Sequence, residues 1–441
     1  MIKKIILFVN IINLFYLCCL AGENPKLTNP MDSILNGEDH VPDRVVLKSN
    51  ISSASQLQKS LMNGYAGEIK NVRLDPYGNY YIIETDNKCD IERLCENLKK
   101  EDYVEDASPD YYALPTSGNF NINKPNDPYF HFQYALQNTG QIYYFEFNIR
   151  GTEGSDIKAL QGWHCAFDGH QTSDIVIAVI DTGVAWNHED LKNQVISGFN
   201  FFDNNNNFYD EFGHGTSIAS IAAAETNNGL GIAGTCWNAK ILSVKAAGPN
   251  GLMPITAIAS GLRYAADYGA RVINMSFVAF RDSFMLKDAC KYAFEKGAVL
   301  VAAAGNYGLN KVFYPAAYDE YCLAVGATEE NDQLWDFSDY GPEIDVVAPG
   351  VNILSAFFDP EEPDILNAYQ YQSGTSDATP YVSGAAALLL TQKPFLTNTQ
   401  VMDLIRFTAD DVNKDQYPGV DIYMGYGRIN LQRLLCPYLF N

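Results

Sequence analysis

The sequence predicts an α/β protein, a mostly parallel doubly wound sheet preceded by a small α+β domain. Three observations point there. From about residue 127, short apolar runs at 175–180, 241–244, 272–275, 299–303, 323–325 and 344–347 alternate with helical stretches at 255–268, 284–296, 380–391 and 399–409. Wholly apolar strands between helices indicate a parallel sheet covered on both faces. Upstream, a strand at 44–48, a helix at 54–62, strands at 69–74 and 80–84 joined by Asp75-Pro76-Tyr77-Gly78, a helix at 90–100 and a strand near 103–104 give a β-α-β-β-α-β order. That is the split βαβ, ferredoxin-like arrangement. Finally, 441 residues that are 47% hydrophobic supply enough apolar material for a large core.

Each segment has its own composition. Lys3 and Lys4 precede an apolar run at 5–20 that ends at Cys19-Leu20-Ala21, the layout of a secretory signal over 1–21. Asn10 and Asn13 interrupt the run, which falls short of the ~20 residues that span a bilayer, so no stable membrane anchor is expected. Residues 22–40 read as a polar linker, 41–116 as the small domain, 117–126 as an exposed connection rich in Asn, Gly and Pro, and 127–441 as the large domain. With 30 basic against 53 acidic residues the net charge is −23, which repels nucleic acid and anionic membranes.

Cys18 and Cys19 leave with the signal, and an odd number of the nine cysteines then remains, so at least one thiol is free. Cys89 and Cys95 on one helix would stand about 9 Å apart, too far for a disulfide. The spacings suggest neither a zinc site nor a dense disulfide scaffold.

Three residues stand out for their chemistry. Asp181 ends the apolar run 175–180 in Asp181-Thr182-Gly183, at a strand's carboxyl end, where α/β sheets gather their chemistry. An Asp-Thr-Gly loop also serves aspartic proteases, but those need two such carboxylates and the chain has no second copy. His214 lies in Gly213-His214-Gly215-Thr216, and Ser376 in Ser373-Gly374-Thr375-Ser376 ahead of a helix. The order Asp, His, Ser is that of subtilisin, against His-Asp-Ser in chymotrypsin and Ser-Asp-His in α/β-hydrolases.

With these motifs the chain resembles the subtilisin-like serine proteases, thermitase-like ones in particular, from about residue 127 to 435. Further matching segments are Asn126-Asp127-Pro128-Tyr129-Phe130, Leu136-Gln137-Asn138-Thr139-Gly140-Gln141, His188-Glu189-Asp190-Leu191, Thr226-Asn227-Asn228 with Gly231-Ile232-Ala233-Gly234, Ala302-Ala303-Ala304-Gly305-Asn306 and Val347-Ala348-Pro349-Gly350. The resemblance implies a secreted (extracellular or periplasmic) serine endopeptidase that acts as a monomer on protein or peptide substrates. In it Ser376 is the nucleophile, His214 the base, Asp181 the group that orients the base, and Asn306 a donor to the oxyanion. The domain 41–116 resembles the family's inhibitory propeptide, an intramolecular partner. Ser276, Phe277 and Val278, with Ala303, Ala304 and Gly305, match the walls of the substrate pocket. A structural calcium site is implied by the side chains of Asp127, Asp190 and Asn228 with the carbonyls of Leu230 and Ile232. An EF-hand at 203–214 is excluded, because Phe208 and His214 stand where glycine and glutamate are required.

The chain departs from the family at supporting positions. Ser217 and Ser220 replace a histidine and a glycine after His-Gly-Thr, and Asp377 and Tyr381 replace methionine and histidine after the serine. Asp377 leaves two outcomes open: turned to solvent it costs little, while facing the site it opposes an oxyanion. A rival reading is a binding protein that keeps the fold without the activity, and labelling by a fluorophosphonate discriminates between the two.

Overall fold

The computed structural model describes residues 40–51, 53–65, 67–74, 80–86, 89–111, 124–144, 146–166, 175–237, 239–358 and 368–436. The signal expected at 1–21, most of the linker at 22–40 and residues 117–123 of the connection at 117–126 lie outside them. The chain divides into two compact units, 1–120 and 121–441.

The first unit is built from β1 (His40–Ser49), α1 (Ala54–Tyr65), β2 (Ile69–Leu74), β3 (Tyr81–Thr85), α2 (Ile91–Leu98) and β4 (Val104–Tyr111), the expected order. Its antiparallel sheet runs β2-β3-β1-β4. Alternation in β3 puts Tyr81 and Ile83 inside with Val45 and Leu47 of β1. The helices cover that face with Leu57, Leu61, Leu94 and Leu98. Asp90 caps α2 by accepting from Arg93 N–H, so the helix starts after Cys89.

The second unit opens with a short hairpin, β5 (Ile142–Tyr144) and β6 (Ile149–Arg150), and α3 (Ala159–Ala166). There follow β7 (Val176–Asp181), β8 (Val195–Asn200), α4 (His214–Ala223), β9 (Lys240–Lys245), α5 (Ile255–Tyr268), β10 (Val272–Met275), α6 (Phe284–Glu295), β11 (Val299–Ala303), β12 (Cys322–Thr328) and β13 (Val346–Pro349). The hairpin β14 (Ile353–Phe357) and β15 (Ala368–Gln372) leads to α7 (Thr375–Gln392), α8 (Asn398–Phe407) and α9 (Leu431–Leu435). Seven strands form one sheet in the order β13-β12-β11-β10-β7-β9-β8, parallel throughout. The chain leaves β7 toward β9 and β8 and then crosses to β10, so the order reverses beside β7 and opens a crevice at its carboxyl end. One face packs on α4 and α7, the other on α5 and α6.

Three differences from the sequence reading have identifiable causes. The edge strand β8 was not expected, since its half-exposed Val-Ile-Ser-Gly-Phe-Asn lacks the apolar run of a central strand. Helix α7 begins at Thr375, five residues before the expected start at 380, so Pro380 lies beyond its first turn. Cys165 and Cys436 form a disulfide, with Cα atoms 5.6 Å apart, which their separation of 271 residues conceals. Cys89, Cys95, Cys290 and Cys322 are thiols outside any disulfide.

Candidate active site

Asp181 is the last residue of β7 and fully buried. Its Oδ1 accepts from Thr182 N–H (2.7 Å) and from His214 Nδ1 (2.7 Å). An ionised carboxylate only accepts, so Nδ1 carries the proton and Nε2 is left as the acceptor. His214 begins α4, whose first turn lies so close to β7 that a methyl on Gly215 would stand 2.1 Å from Gly183 O. Only glycine permits that approach.

Asp210, which the sequence reading missed, fixes this junction. Its Oδ1 accepts from Thr182 Oγ1 (2.9 Å) and Gly213 N–H (2.9 Å), and its Oδ2 from Thr216 N–H (2.9 Å) and Oγ1 (2.6 Å). The available signal was an aspartate three residues before the N-cap Gly213, within reach of the first-turn N–H groups of the helix. Burial disfavours a charged imidazole at His214. The carboxylate of Asp181 and the bond to it, with Asp377 and Asp210, outweigh burial and hold His214 up at about 9.

Ser376 lies in the first turn of α7. Its hydroxyl donates to Ser276 O (3.1 Å), and among the described residues no hydrogen bond joins it to His214. Asn306, just past β11, accepts through Oδ1 from Thr375 N–H (2.9 Å) and Thr375 Oγ1 (2.8 Å). Those two donors oblige its amide NH₂ to face the other way, toward Ser376 N–H. A methyl on Gly374 would stand 3.1 Å from Asn306 Nδ2 and 3.5 Å from Ser376 N, so both donors border one small space.

The pocket residues come together as well. Met275 pairs in register with Ala302, so Ser276 and Ala303 leave the carboxyl ends of neighbouring parallel strands. Ala279 exchanges backbone bonds with Tyr314, which ties down the first wall. Gly305 has φ +123°, and a methyl there would meet Asp339 Oδ2 at 2.1 Å.

The departures have structural roles. Ser217 Oγ bonds Ser355 Oγ (2.6 Å) and Ser220 Oγ accepts from Ala356 N–H (3.0 Å), fastening α4 to β14. Tyr381 is buried. Asp377 is only 2% exposed and faces the site, which excludes the solvent-turned outcome.

The candidate calcium ligands also converge. Asn228 donates its backbone N–H to Asp127 Oδ1 (3.2 Å) and its side chain to Asp190 Oδ1 (3.0 Å). Ile232 N–H and Tyr369 hydroxyl reach Asp190 Oδ2 at 2.9 and 2.8 Å, while Leu230 N–H reaches Asn228 Oδ1 at 2.7 Å. Burial pushes both carboxyls above the usual range, and their hydrogen bonds pull them back. Two buried carboxylates joined through Asn228 are donors of the kind a hard cation takes, while the bonds that Leu230 and Ile232 make to this group run through their N–H groups. Among the described residues no group of three or more His, Cys, Asp or Glu side chains could hold a metal.

A wholly parallel sheet with aspartate, histidine, serine and an amide donor at its carboxyl edge defines a class, the α/β serine peptidases. The chain belongs to the subtilase family, whose profile matches residues 172–427. It is 41% identical over 342 residues to the thermophilic serine proteinase of Bacillus sp. (strain AK1), covering 77% of this chain and 75% of that protein. It is 40% identical over 307 residues to thermitase of Thermoactinomyces vulgaris, covering 69% and 97%. Among solved structures, sphericase aligns with a TM-score of 0.55 at 32% identity, covering 60% of this chain and 95% of that one. The protein is thus a subtilisin-like serine protease.

Proposed function

We propose that this protease is a secreted endopeptidase, made as an autoprocessed zymogen, that cleaves peptide bonds through Asp181, His214 and Ser376. The observation that carries the reading is the 2.7 Å contact between buried Asp181 and His214 Nδ1, which leaves Nε2 free to act as base. As substrate binds, the Ser376 hydroxyl turns from Ser276 O to His214 Nε2, a tightening usual on passing from the free enzyme to the complex. Its oxygen attacks the carbonyl carbon while His214 takes the proton and then returns it to the leaving amine. Asp181 holds the tautomer and stabilises the imidazolium. Ser376 N–H and Asn306 Nδ2 receive the oxyanion.

The basic residues and apolar run of 1–21 support export, and no helix among the described residues is long and apolar enough to cross a membrane. The separately cored first unit supports an inhibitory propeptide role for 41–116. Calcium held by Asp127, Asp190 and Asn228 with the carbonyls of Leu230 and Ile232 would neutralise two buried carboxylates and tie their segments together. Self-cleavage gains from proximity, with effective molarities on the order of 10⁵ M for well-oriented groups.

The test is wild type beside Ser376→Ala, expressed in a host lacking exported proteases. Wild type is expected as two fragments, of which only the larger, carrying Ser376, labels with a fluorophosphonate. The variant is expected to fold, stay full length after signal removal and take no label. Identical processing in both would assign the cut to another enzyme, and labelling of the variant would exclude Ser376 as the nucleophile.

A further inference from the structure

The residue after the nucleophile is a buried acid that faces the reacting atoms. Asp377 Oδ1 has no hydrogen-bond partner among the described residues. Its Oδ2 stands 3.4 Å from the methyl position on Gly374 that also lies 3.1 Å from Asn306 Nδ2 and 3.5 Å from Ser376 N. Two donors and one carboxyl oxygen therefore border the same space. A carboxylate there would repel an oxyanion at short range in a poorly solvated site, whereas a carboxylic acid would donate to it.

We propose that Asp377 works protonated, as a third donor to the oxyanion beside Ser376 N–H and Asn306 Nδ2, and that activity falls when this proton leaves. The inference rests on the proposed roles of Ser376 and His214. In the addition step the new bond joins Ser376 Oγ to the carbonyl carbon, and the hydroxyl proton passes to His214 Nε2. The carbonyl π electrons move onto oxygen, which accepts a hydrogen bond from Asp377 without taking its proton. The bond weakens again when the C=O re-forms, so Asp377 ends the step unchanged.

The titratable groups facing Asp377 are His214 and Asp181 across the site and Tyr381 on its own helix, with Asp210 behind His214. Burial pushes Asp377 up to about 7, with charged His214 pulling down and Asp181 pushing up. When His214 is neutral, as a base must be, that downward pull is absent and Asp377 keeps its proton to higher pH. The two residues thus titrate as a pair. His214, held at about 9, binds a single proton more strongly than Asp377 at about 7, so the productive form, with that proton on Asp377 and none on His214 Nε2, is the minor arrangement of the singly protonated pair. A second proton disables the base, and loss of the first charges the oxyanion site, so both limbs of the pH profile belong to the pair.

The experiment is kcat and KM from pH 5 to 10 with a short p-nitroanilide peptide, for matured wild type, Asp377→Asn and Asp377→Met, with thermal melts as folding controls. Asparagine keeps a donor that cannot ionise, and methionine removes it. Wild type is expected to lose kcat on the alkaline side. Asp377→Asn is expected to hold its kcat there, with its acid limb not moved to lower pH, because Asp377 is already uncharged in the form that limb protonates. Asp377→Met is expected to lack the alkaline fall too, with kcat about tenfold or more below Asp377→Asn and KM little changed. A wild-type profile without an alkaline fall, an unchanged fall in Asp377→Asn, or equal kcat in the two variants would overturn the inference. Fluorophosphonate labelling separates the readings. If Ser376→Ala is inert while Asp377→Asn keeps the wild-type alkaline fall, only the role of Asp377 fails. If Ser376→Ala stays active, the proposed mechanism itself fails.

Discussion

Ser276 and Ser376 exchange two hydrogen bonds: the Ser276 hydroxyl donates to Ser376 O at 2.8 Å, and the Ser376 hydroxyl donates to Ser276 O at 3.1 Å. Pro380 explains the first. It sits where a backbone N–H would otherwise reach the Ser376 carbonyl, and proline has none to give. Asn274 Nδ2 donates to Ser276 Oγ (2.9 Å), and Asn274 Oδ1 accepts from Ser383 (2.8 Å), so the end of β10 and helix α7 are locked together around the proposed nucleophile.

Ser276→Ala is therefore expected to leave the Ser376 carbonyl and Asn274 Nδ2 short of partners, at a cost of about 1–3 kcal/mol. Thermal unfolding of inactivated enzyme measures this, and an unchanged Tm would remove Ser276 from the structural role.

Asn306→Ala is expected to lower kcat by about a hundred- to a thousandfold with KM little altered, the scale the subtilisin precedent sets for one oxyanion donor. Steady-state kinetics on a peptide substrate decides it. A loss confined to KM would make Asn306 a ground-state binding residue instead.

Val278 belongs to the segment Ser276 to Ala279 that, with Ala303 to Gly305, is proposed to wall the substrate pocket. Its branched side chain is expected to disfavour wide residues before the scissile bond by about 1–3 kcal/mol. Digestion of a peptide library should then show small or slender residues there, and Val278→Gly should admit phenylalanine. Wild type that turns over phenylalanine as well as alanine would refute the narrowing.

Calcium at Asp127, Asp190 and Asn228 is expected to raise stability by RT ln(1 + [L]/Kd), about 2.7 kcal/mol at a hundredfold excess over Kd. Chelator should lower Tm and millimolar calcium restore it. Superimposable melting curves, with no calcium carried through purification, would reject the site.

The Cys165–Cys436 bridge links residues 271 apart, fastening the end of α3 to the chain just beyond α9. Removing a native disulfide costs about 2–5 kcal/mol in small secreted domains. Paired Cys165→Ser and Cys436→Ser are expected to lower Tm clearly and leave kcat near wild type. Equal melting of oxidised and reduced wild type would leave the bridge without a stabilising role.

Much of the fold was legible because it rests on local patterns. Strands such as 272–275 and 299–303 are buried on both faces and leave unbroken apolar runs, so their bounds in the sequence and the structure coincide. Asp181, His214 and Ser376 were legible through flanking residues that each answer a local need: an apolar strand before Asp181, glycine where His214 approaches β7, and a helix start at Ser376. What the sequence left open depends on residues distant along the chain. Asp210 gains its meaning from Thr182 and Thr216, the disulfide from two helix ends meeting, and Ser217 from a serine 138 residues away. Asp377 is the clearest case. As a residue type it permitted either a solvated carboxylate or a buried acid, and only the packing of α7 against the ends of β7, β10 and β11 decided between them. Burial and aim toward reacting atoms are set by where distant segments pack, and periodicity along one chain segment does not encode that.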